Sequence, residues 1–286
     1  MTSASALVTR SEHACFRGRL GFYSRHSDAL GLEARFAVFL PPRALAGDKV
    51  PALYALAGLT SNEETFVTKS GALRFAAEHG LAIVAPDTSP RGAGIAGEDD
   101  DWDFGTGAGF YLDATEQPWS AHYRMGSHVG HELPGWAEAE FPIDETRRGI
   151  IGHSMGGHGA LVLALSEPER WQSVSAFAPI ANPAAAPWGE KAFSRYLGTD
   201  RTSWAARDAT LLLRAGRIWP GTILVDQGEA DQFLSDQLHP DALEQAARSS
   251  GQALTLRRRP GYDHSYWFIQ TFIADHLSHH AAALNR

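Results

Sequence analysis

The sequence predicts an α/β protein built on a doubly wound, mostly parallel sheet of about eight strands with helices on both faces. From about residue 50, short apolar segments alternate with stretches of helical spacing, a pattern typical of parallel strands joined by helical crossovers. Two earlier segments alternate apolar and polar residues, as antiparallel edge strands do. No repeat, low-complexity segment or Pro/Ser-rich linker interrupts the 286 residues. We therefore expect one domain over residues 1–286.

Eight segments are predicted as strands, two at the antiparallel edge and six in the parallel part. In chain order they are residues 15–24, 32–42, 50–58, 81–87, 147–154, 173–180, 221–228 and 253–261. Helices are expected between them, for example in SGALRFAAEHG, HGALVLALSEPER and PDALEQAARSSG. The Gly- and Asp-rich stretch from Thr88 to Gln117 is predicted to be a long loop over one end of the sheet.

Composition restricts the partners of the chain. Hydrophobic residues make up 44% and charged residues 20%, which favours a large core over disorder. The formal net charge of -8 disfavours nucleic acid and anionic membranes as partners. Cys15 is the single cysteine, so no intrachain disulfide can form. The first residues lack the apolar core of a signal peptide, and no apolar run approaches the roughly 20 residues that span a bilayer, so we expect a cytoplasmic protein.

A nucleophile motif lies between a predicted strand and a helix of small residues. Gly152-His153-Ser154-Met155-Gly156 fits G-x-S-x-G in the strand–turn–helix context that this motif requires. At such a turn the serine takes a strained backbone conformation, and glycine on either side avoids clashes with neighbouring backbone. Ser154 is the predicted nucleophile, at a helix N-terminus that favours negative charge. The N–H of Met155 is the predicted first donor of an oxyanion hole.

A serine nucleophile needs a histidine base and an acid that orients the base. In this fold the acid follows the serine and the histidine comes last, each after the end of a strand. The segment after the serine offers Asp226, Glu229, Asp231 and Asp236. Asp231 is preferred because it lies just past the end of a predicted strand, whereas Asp226 is expected inside it. The loop after the last strand contains His264, the predicted base.

Other motif-like patterns are interpreted as structural. Residues 92–97 fit G-x-G-x-x-G, but no helix follows them, as dinucleotide binding would require. The acidic run from Glu98 to Asp103 lacks EF-hand spacing and is expected to be a solvated loop. Three further residues do not form H-E-x-x-H and are expected at the surface: His128, His131 and Glu132.

The remaining histidines are not expected to act as the base. Most of the 13 histidines are expected at the surface. His276, His279 and His280 belong to a polar helical tail. His153 and His158 precede any candidate acid, so we expect them to flank the serine turn.

Several segments spread over nearly the whole chain match the motifs of one known family. They include GLTSNEETFVTKSGALRFAAEHGLAIVAPDTSPRG, GTGAGFYLDATEQPW, GHSMGGHGAL, SAFAPIANP, PWGEKAFSRYLG, DQGEADQFL and GYDHSYWFI. Together they resemble S-formylglutathione hydrolase, the esterase D family. The resemblance implies an α/β-hydrolase fold and a cytoplasmic, often dimeric enzyme. Its implied reaction hydrolyses S-formylglutathione to glutathione and formate in formaldehyde detoxification, with no metal and no organic cofactor.

The resemblance also implies site residues. The family's triad falls on Ser154, Asp231 and His264, the same residues that chain order selects. Its oxyanion hole falls on the N–H groups of Met155 and Leu59. Additional candidates for the substrate pocket are Ser61, Trp188 and His153.

One position departs from the family pattern. The family usually has GLTC where this chain has GLTS, so Ser61 replaces a thiol close to the active site. The triad does not need that thiol, so the reaction class is unaffected; the change bears only on the fine tuning of the substrate pocket and on any thiol-based regulation. Candidate cations for the carboxylates of glutathione are Lys69, Arg91 and Lys191. The triad alone does not separate this activity from that of a general short-chain carboxylesterase or acyltransferase, and a non-catalytic binding protein is a rival of another class.

Overall fold

The structure is a computed structural model that describes residues 6–286. Nine strands in this part of the chain form one sheet: β1 (Val8–Cys15), β2 (Gly18–Ser27), β3 (Leu32–Leu40), β4 (Val50–Leu56), β5 (Ala82–Pro86), β6 (Ile143–His153), β7 (Ser173–Phe177), β8 (Ile223–Gly228) and β9 (Leu254–Arg259). Their order is β1-β2-β3-β5-β4-β6-β7-β8-β9. The first three pairs in this order, β1–β2, β2–β3 and β3–β5, are antiparallel. The remaining pairs, from β5–β4 to β8–β9, are parallel. The mostly parallel sheet is confirmed, whereas the expected number of about eight strands is one too low.

The additional strand is β1, at the edge of the sheet. Most of its side chains are exposed, so its sequence shows no apolar alternation. The turn that joins β1 to β2 consists of Phe16 and Arg17, with φ of 49° and 61°. Hairpin turns of this kind are usually recognised by Asn-Gly or Asp-Gly, and here neither is present. The strand predicted over residues 15–24 therefore begins only at Gly18, and Cys15 ends β1.

Helices cover both faces of the sheet. They are α1 (Pro42–Leu45), α2 (Glu63–Lys69), α3 (Ala72–His79), α4 (Met125–Ser127), α5 (Leu133–Glu140), α6 (Met155–Ser166), α7 (Pro187–Tyr196), α8 (Arg201–Trp204), α9 (Ala209–Arg214), α10 (Pro240–Ser250) and α11 (Tyr266–Leu284). On one face α3 packs against α11, and on the other α9 packs against both α6 and α10. None of the helices in residues 6–286 combines the length and the apolar character needed to cross a membrane.

The carboxyl ends of the parallel strands bring distant parts of the chain together. β4, β6, β8 and β9 are all parallel to one another within the sheet. Because parallel strands run in the same direction, the loops that follow them meet at one edge of the sheet. The segments with the predicted nucleophile, oxyanion-hole, acid and base residues all follow these four strands.

Two histidines of α11 are buried, so their expected surface location is wrong. His276 and His280 have no exposed surface. Nδ1 of His276 and Nε2 of His280 lie 2.9 and 2.8 Å from the hydroxyl of Ser175, and Nδ1 of His280 lies 2.6 Å from the hydroxyl of Ser173. The serine hydroxyls of β7 thus form hydrogen bonds with the imidazoles of α11. The local sequence of neither segment indicates this pairing, because the two segments are far apart in the chain.

His128 and Glu132 were also expected at the surface, and this prediction is wrong for His128. His128 is buried, and its Nδ1 lies 2.6 Å from the Glu132 carboxylate. That carboxylate also accepts hydrogen bonds from the Ser27 hydroxyl and, at 2.7 Å, from the N–H of Asp28. Glu132, which directly precedes α5, therefore connects this helix to the turn after β2. His131 exposes 52% of its side chain, as expected.

The free energy of unfolding is expected to fall as the pH is lowered from 6.5 towards 4, because burial lowers the pKa of His276 from 6.5 to about 4. Between these values the unfolded chain binds a proton that the folded protein does not. Acid then favours unfolding by up to about 3 kcal/mol from this residue. Urea unfolding at several pH values between 6.5 and 5 checks this, with His276→Asn for comparison. The variant should lose less stability over this interval than the wild type, and an equal loss would contradict the explanation.

Candidate active site

Ser154 follows β6 in the tight turn that the motif predicts. Its φ and ψ are 57° and -118°, a strained conformation for a residue with a side chain. Its N–H donates to the carbonyl of Phe177 at 2.9 Å. A Cβ on Gly152 would lie 2.0 Å from the carbonyl oxygen of Gly156, and one on Gly156 would lie 2.1 Å from the carbonyl oxygen of Leu56. The turn therefore requires glycine at both positions.

Asp231 and His264 form a buried pair. Nδ1 of His264 lies 2.6 Å from Oδ2 of Asp231, whose side chain is completely buried. The other carboxylate oxygen accepts the N–H of Phe233 at 2.9 Å, and Oδ2 accepts a longer hydrogen bond of 3.3 Å from Gln227. Since the carboxylate occupies Nδ1, Nε2 of His264 is the ring nitrogen available for proton transfer.

The loops that contain the acid and the histidine touch each other after β8 and β9. The N–H of Ala230 donates to the carbonyl of Tyr262 at 2.9 Å. A Cβ on Gly228 would lie 2.4 Å from the same carbonyl oxygen. Glycine at this position thus permits the close approach that brings Asp231 to His264.

Asp226, the alternative acid, lies inside β8 and binds other residues. Arg257 donates to its two oxygens at 2.5 and 2.8 Å, and Arg259 donates at 3.2 Å. Burial acts to raise the pKa of Asp226, but His276 at 3.5 Å and the hydrogen bonds from Arg257 leave that pKa below the ordinary value. The carboxylate of Asp226 therefore joins β8 to β9.

The loop after β4 is held by polar contacts on its far side. The carbonyl of Ser61 accepts hydrogen bonds from Arg91 at 2.7 Å and from the Thr88 hydroxyl at 2.5 Å. Arg91 also forms a bidentate ion pair with Asp87, at 2.6 and 2.9 Å. Thr60 has a φ of 64°, and its N–H donates to a carbonyl of the long loop at 3.0 Å. These bonds fix the backbone on which Leu59 lies.

Two backbone N–H groups beside Ser154 are free to bind an oxyanion. Within residues 6–286 the N–H of Leu59 makes no hydrogen bond. The N–H of Met155 belongs to the first turn of α6, where no carbonyl of the same helix can accept it. The loop is close to the nucleophile, since a Cβ on Gly58 would lie 3.1 Å from the Cβ of Ser154. The predicted donors thus lie on two adjacent segments.

Ser154 and His264 line one cavity of about 310 Å³. Its aromatic wall contains Trp188, which packs edge to face on Trp102 with 5.6 Å between ring centres and lies 4.7 Å from Phe233. The ring of Phe233 in turn lies edge-on to the imidazole of His264 at 5.1 Å. A larger cavity of about 670 Å³ lies at the amino ends of β7 and β8 and contains none of the predicted site residues.

Sequence reasoning missed three aromatic residues of this wall: Trp102, Phe233 and Tyr266. Phe233 and Tyr266 each follow a predicted triad residue by two positions, and this closeness in sequence was the available signal. Trp102 lies in the long loop, where no pattern indicated a role.

The long loop from Thr88 to Gln117 contains no strand of the sheet and no helix, as expected. It is organised around the buried carboxylate of Glu98. This carboxylate accepts N–H groups from Ala93, Gly94 and Ile95 at 2.9 to 3.3 Å, and the hydroxyl of Tyr123 at 3.1 Å. The residues that fit G-x-G-x-x-G therefore bind an acid of their own loop. That acid was expected to be solvated, and this prediction is wrong.

His153, a predicted pocket residue, lies beside the candidate base. Its ring packs against His264 with 4.6 Å between ring centres and against Tyr266 with 5.5 Å. Burial, and then the nearby imidazole of His264, hold the pKa of His153 well below its ordinary value. His153 is therefore neutral near pH 7, and it lies in the cavity wall without adding a charge there.

The other pocket candidates separate into two groups. Ser61, Trp188 and Lys69 line the cavity. Arg91 is held in the loop contacts described above. Lys191 binds Asp103 at 2.5 Å and Asp101 at 3.0 Å.

Known proteins resemble this chain over nearly its full length. Residues 27–279 match the family model Esterase, described as "Putative esterase". The chain is 54% identical over 281 residues to the S-formylglutathione hydrolase of Mus musculus, covering 98% of this chain and 99% of that protein. It is 51% identical over 279 residues to the S-formylglutathione hydrolase of Paracoccus denitrificans, with coverage of 98% and 99%.

A solved structure agrees with these relatives. It is an S-formylglutathione hydrolase from Agrobacterium tumefaciens, 47% identical, with a TM-score of 0.94 over 96% of this chain and 99% of that one. The mostly parallel sheet with helices on both faces fits the α/β-hydrolase fold. On this identity, coverage and fold, the chain belongs to the S-formylglutathione hydrolase family of esterases.

Proposed function

We propose that the chain hydrolyses S-formylglutathione to glutathione and formate through a formyl ester of Ser154. The main supporting observation is the strained Ser154 in one cavity with the buried Asp231–His264 pair. This combination of nucleophile, base and orienting acid is the one that acyl transfer requires. The substrate is suggested by relatives about half identical to this chain that are named for this reaction.

In the first step the Ser154 hydroxyl attacks the formyl carbon while Nε2 of His264 accepts its proton. Asp231 holds the imidazole in the required tautomer and stabilises the imidazolium. The carbonyl oxygen becomes an oxyanion that accepts hydrogen bonds from the N–H groups of Leu59 and Met155. Removal of one such donor typically costs about 3 kcal/mol in the transition state.

In the second step the carbon–sulfur bond breaks, and His264 returns its proton to the sulfur of glutathione. A water molecule then attacks the formyl ester as Nε2 of His264 takes one of its protons. The second tetrahedral intermediate releases formic acid as His264 returns that proton to the Ser154 oxygen, and formic acid then ionises to formate. Proton transfer and charge stabilisation are thus supplied by side chains and backbone N–H groups of this chain.

The cavity predicts selectivity for small acyl groups. Trp188 and Phe233 pack against each other beside the base, and in the proposed reaction this aromatic wall limits the length of the acyl group. We expect kcat/KM to be highest for formyl and acetyl thioesters of glutathione, and at least about tenfold lower for the butyryl thioester, since even one methylene changes the free energy of transition-state binding by about 1–3 kcal/mol. Steady-state assays of the acyl series test this prediction and the proposed reaction together. A kcat/KM that rises with acyl length would favour a general short-chain carboxylesterase.

We further propose that this reaction serves glutathione-dependent formaldehyde detoxification, because its substrate is the formyl thioester of glutathione. A cytoplasmic location and a homodimeric assembly stay predictions from the family resemblance. Sedimentation of the purified protein would test the dimer.

A further inference from the structure

Both this protein and its proposed substrate, S-formylglutathione, are negatively charged. The chain has a formal net charge of -8, and glutathione has two carboxylates and one ammonium. Long-range repulsion therefore opposes binding unless a local cation offsets it. The residues that line the cavity include no carboxylate and one permanent cation, Lys69.

The other two candidate cations are already neutralised by partners. Arg91 forms the bidentate ion pair with Asp87 and donates to the Ser61 carbonyl. Lys191 is bound by two aspartates of the long loop. Withdrawing either cation from its partners would leave carboxylates uncompensated, and for the buried Asp87 that cost is large.

Lys69 has no such partner. In the part of the chain that the structure describes, its ammonium forms no ion pair and no hydrogen bond. Its backbone is nevertheless fixed, because the side chain of Gln270 in α11 donates to the Lys69 carbonyl at 2.7 Å. The N-terminus of α2 is capped by Asn62, whose side chain accepts the N–H of Glu64 at 3.1 Å. Thr65 lies one turn before Lys69 in this helix and lines the same cavity.

We propose that Lys69 binds a carboxylate of the glutathione part of the substrate and so selects the charged thioester over neutral esters. This inference rests on the proposed function and adds to it the group that recognises the leaving peptide. Lysine suits this position because its ammonium is a compact charge on a flexible stem that can follow a carboxylate at the mouth of a cavity. Lys69 is a specificity residue and takes no part in the bond-breaking steps.

The test compares two formyl thioesters that share the reacting group, S-formylglutathione and the neutral S-formyl-N-acetylcysteamine. Lys69→Gln should raise KM for S-formylglutathione by about two- to fivefold, the factor that corresponds to one exposed ion pair. Lys69→Glu should raise it by about tenfold or more, since it replaces attraction by repulsion. For both variants kcat should stay unchanged, because binding is lost equally in ground state and transition state.

Lys49→Gln is the matched control. Lys49 is exposed and does not line the cavity, so its variant removes the same charge from the molecule at another place. The neutral thioester should show no change in kcat/KM with any of these variants, and added salt should reduce the effect of Lys69→Gln. An amide in place of the glycine carboxylate should abolish the effect if Lys69 binds that carboxylate; if the effect persists, Lys69 binds the γ-glutamyl carboxylate.

Failure of the inference and failure of the proposed function give different results. If the wild type does not hydrolyse S-formylglutathione, the proposed function is wrong. If it hydrolyses the neutral thioester at least as well as S-formylglutathione, the function stands and selection by charge is wrong. If the wild type prefers S-formylglutathione but Lys69→Gln and Lys49→Gln behave alike, the function stands and the role of Lys69 is wrong. Equal losses with charged and neutral thioesters would likewise overturn it, since they would indicate a structural role.

Discussion

Asp231→Asn is expected to lower kcat for S-formylglutathione by about 10⁴-fold in protein that remains folded. The carboxylate accepts a hydrogen bond from Nδ1 of His264 at 2.6 Å, which keeps the proton on Nδ1 and leaves Nε2 free as the base. The amide of asparagine can donate to Nδ1 and so favours the wrong tautomer. Steady-state assays with circular dichroism of each variant would measure the effect.

Asp226→Asn provides the control on the same strand. Its carboxylate binds Arg257 and Arg259, so the change should lower the free energy of unfolding, because two guanidinium groups lose one of their ionised partners and keep only the exposed Asp275. We expect kcat of the folded fraction to change only a few-fold. A larger loss of kcat from Asp226→Asn than from Asp231→Asn would contradict the assignment of the acid.

Gly156→Ala is expected to abolish activity together with correct folding. The added Cβ would lie 2.1 Å from the Leu56 carbonyl oxygen, so α6 would have to move away from β4. Overpacking of this kind costs from about 1 to 3 kcal/mol, and more where the opposing atom belongs to the backbone of a buried strand. Yield of soluble protein, thermal unfolding and labelling of Ser154 by a fluorophosphonate would measure the loss.

Gly135→Ala is the matched substitution. Gly135 lies inside α5, and a Cβ there would meet nothing within 4 Å. Since alanine favours helix over glycine by about 1 kcal/mol, this variant should be as stable as the wild type or more so, with unchanged activity. If both alanine variants fold and label normally, the close approach of α6 to β4 does not depend on glycine at position 156.

The parts of the fold that were predictable are those with a strong local signal. Strands β4, β5, β7 and β8 are completely buried, and the apolar residues in their sequences indicate this directly. The exposed strand β1 and the Phe16-Arg17 turn have no such signal. His276 and His280 satisfy hydroxyls of a distant strand, and such pairing arises only when the chain is folded.

In the candidate site, too, residues with a local sequence signal could be predicted, and residues placed by long-range contacts could not. Ser154 could be predicted because a strained turn needs its glycines next to it in sequence, and Asp231 because it follows the end of a strand. Trp102 reaches the cavity from a loop whose course is set by Glu98 and by the ion pairs of Lys191. No local pattern encodes that course, so this residue became visible only in three dimensions.

Ser61 has a consequence for the chemistry of the product. In the proposed reaction glutathione leaves this cavity as a thiol, and a cysteine at the cavity wall would exchange with oxidised glutathione to form a mixed disulfide beside the proposed nucleophile. A hydroxyl at Ser61 cannot enter such exchange. The single thiol, Cys15, lies on the edge strand β1, where partial burial raises its pKa and so lowers its thiolate fraction. The proposed hydrolysis at Ser154 should therefore not depend on the ratio of oxidised to reduced glutathione.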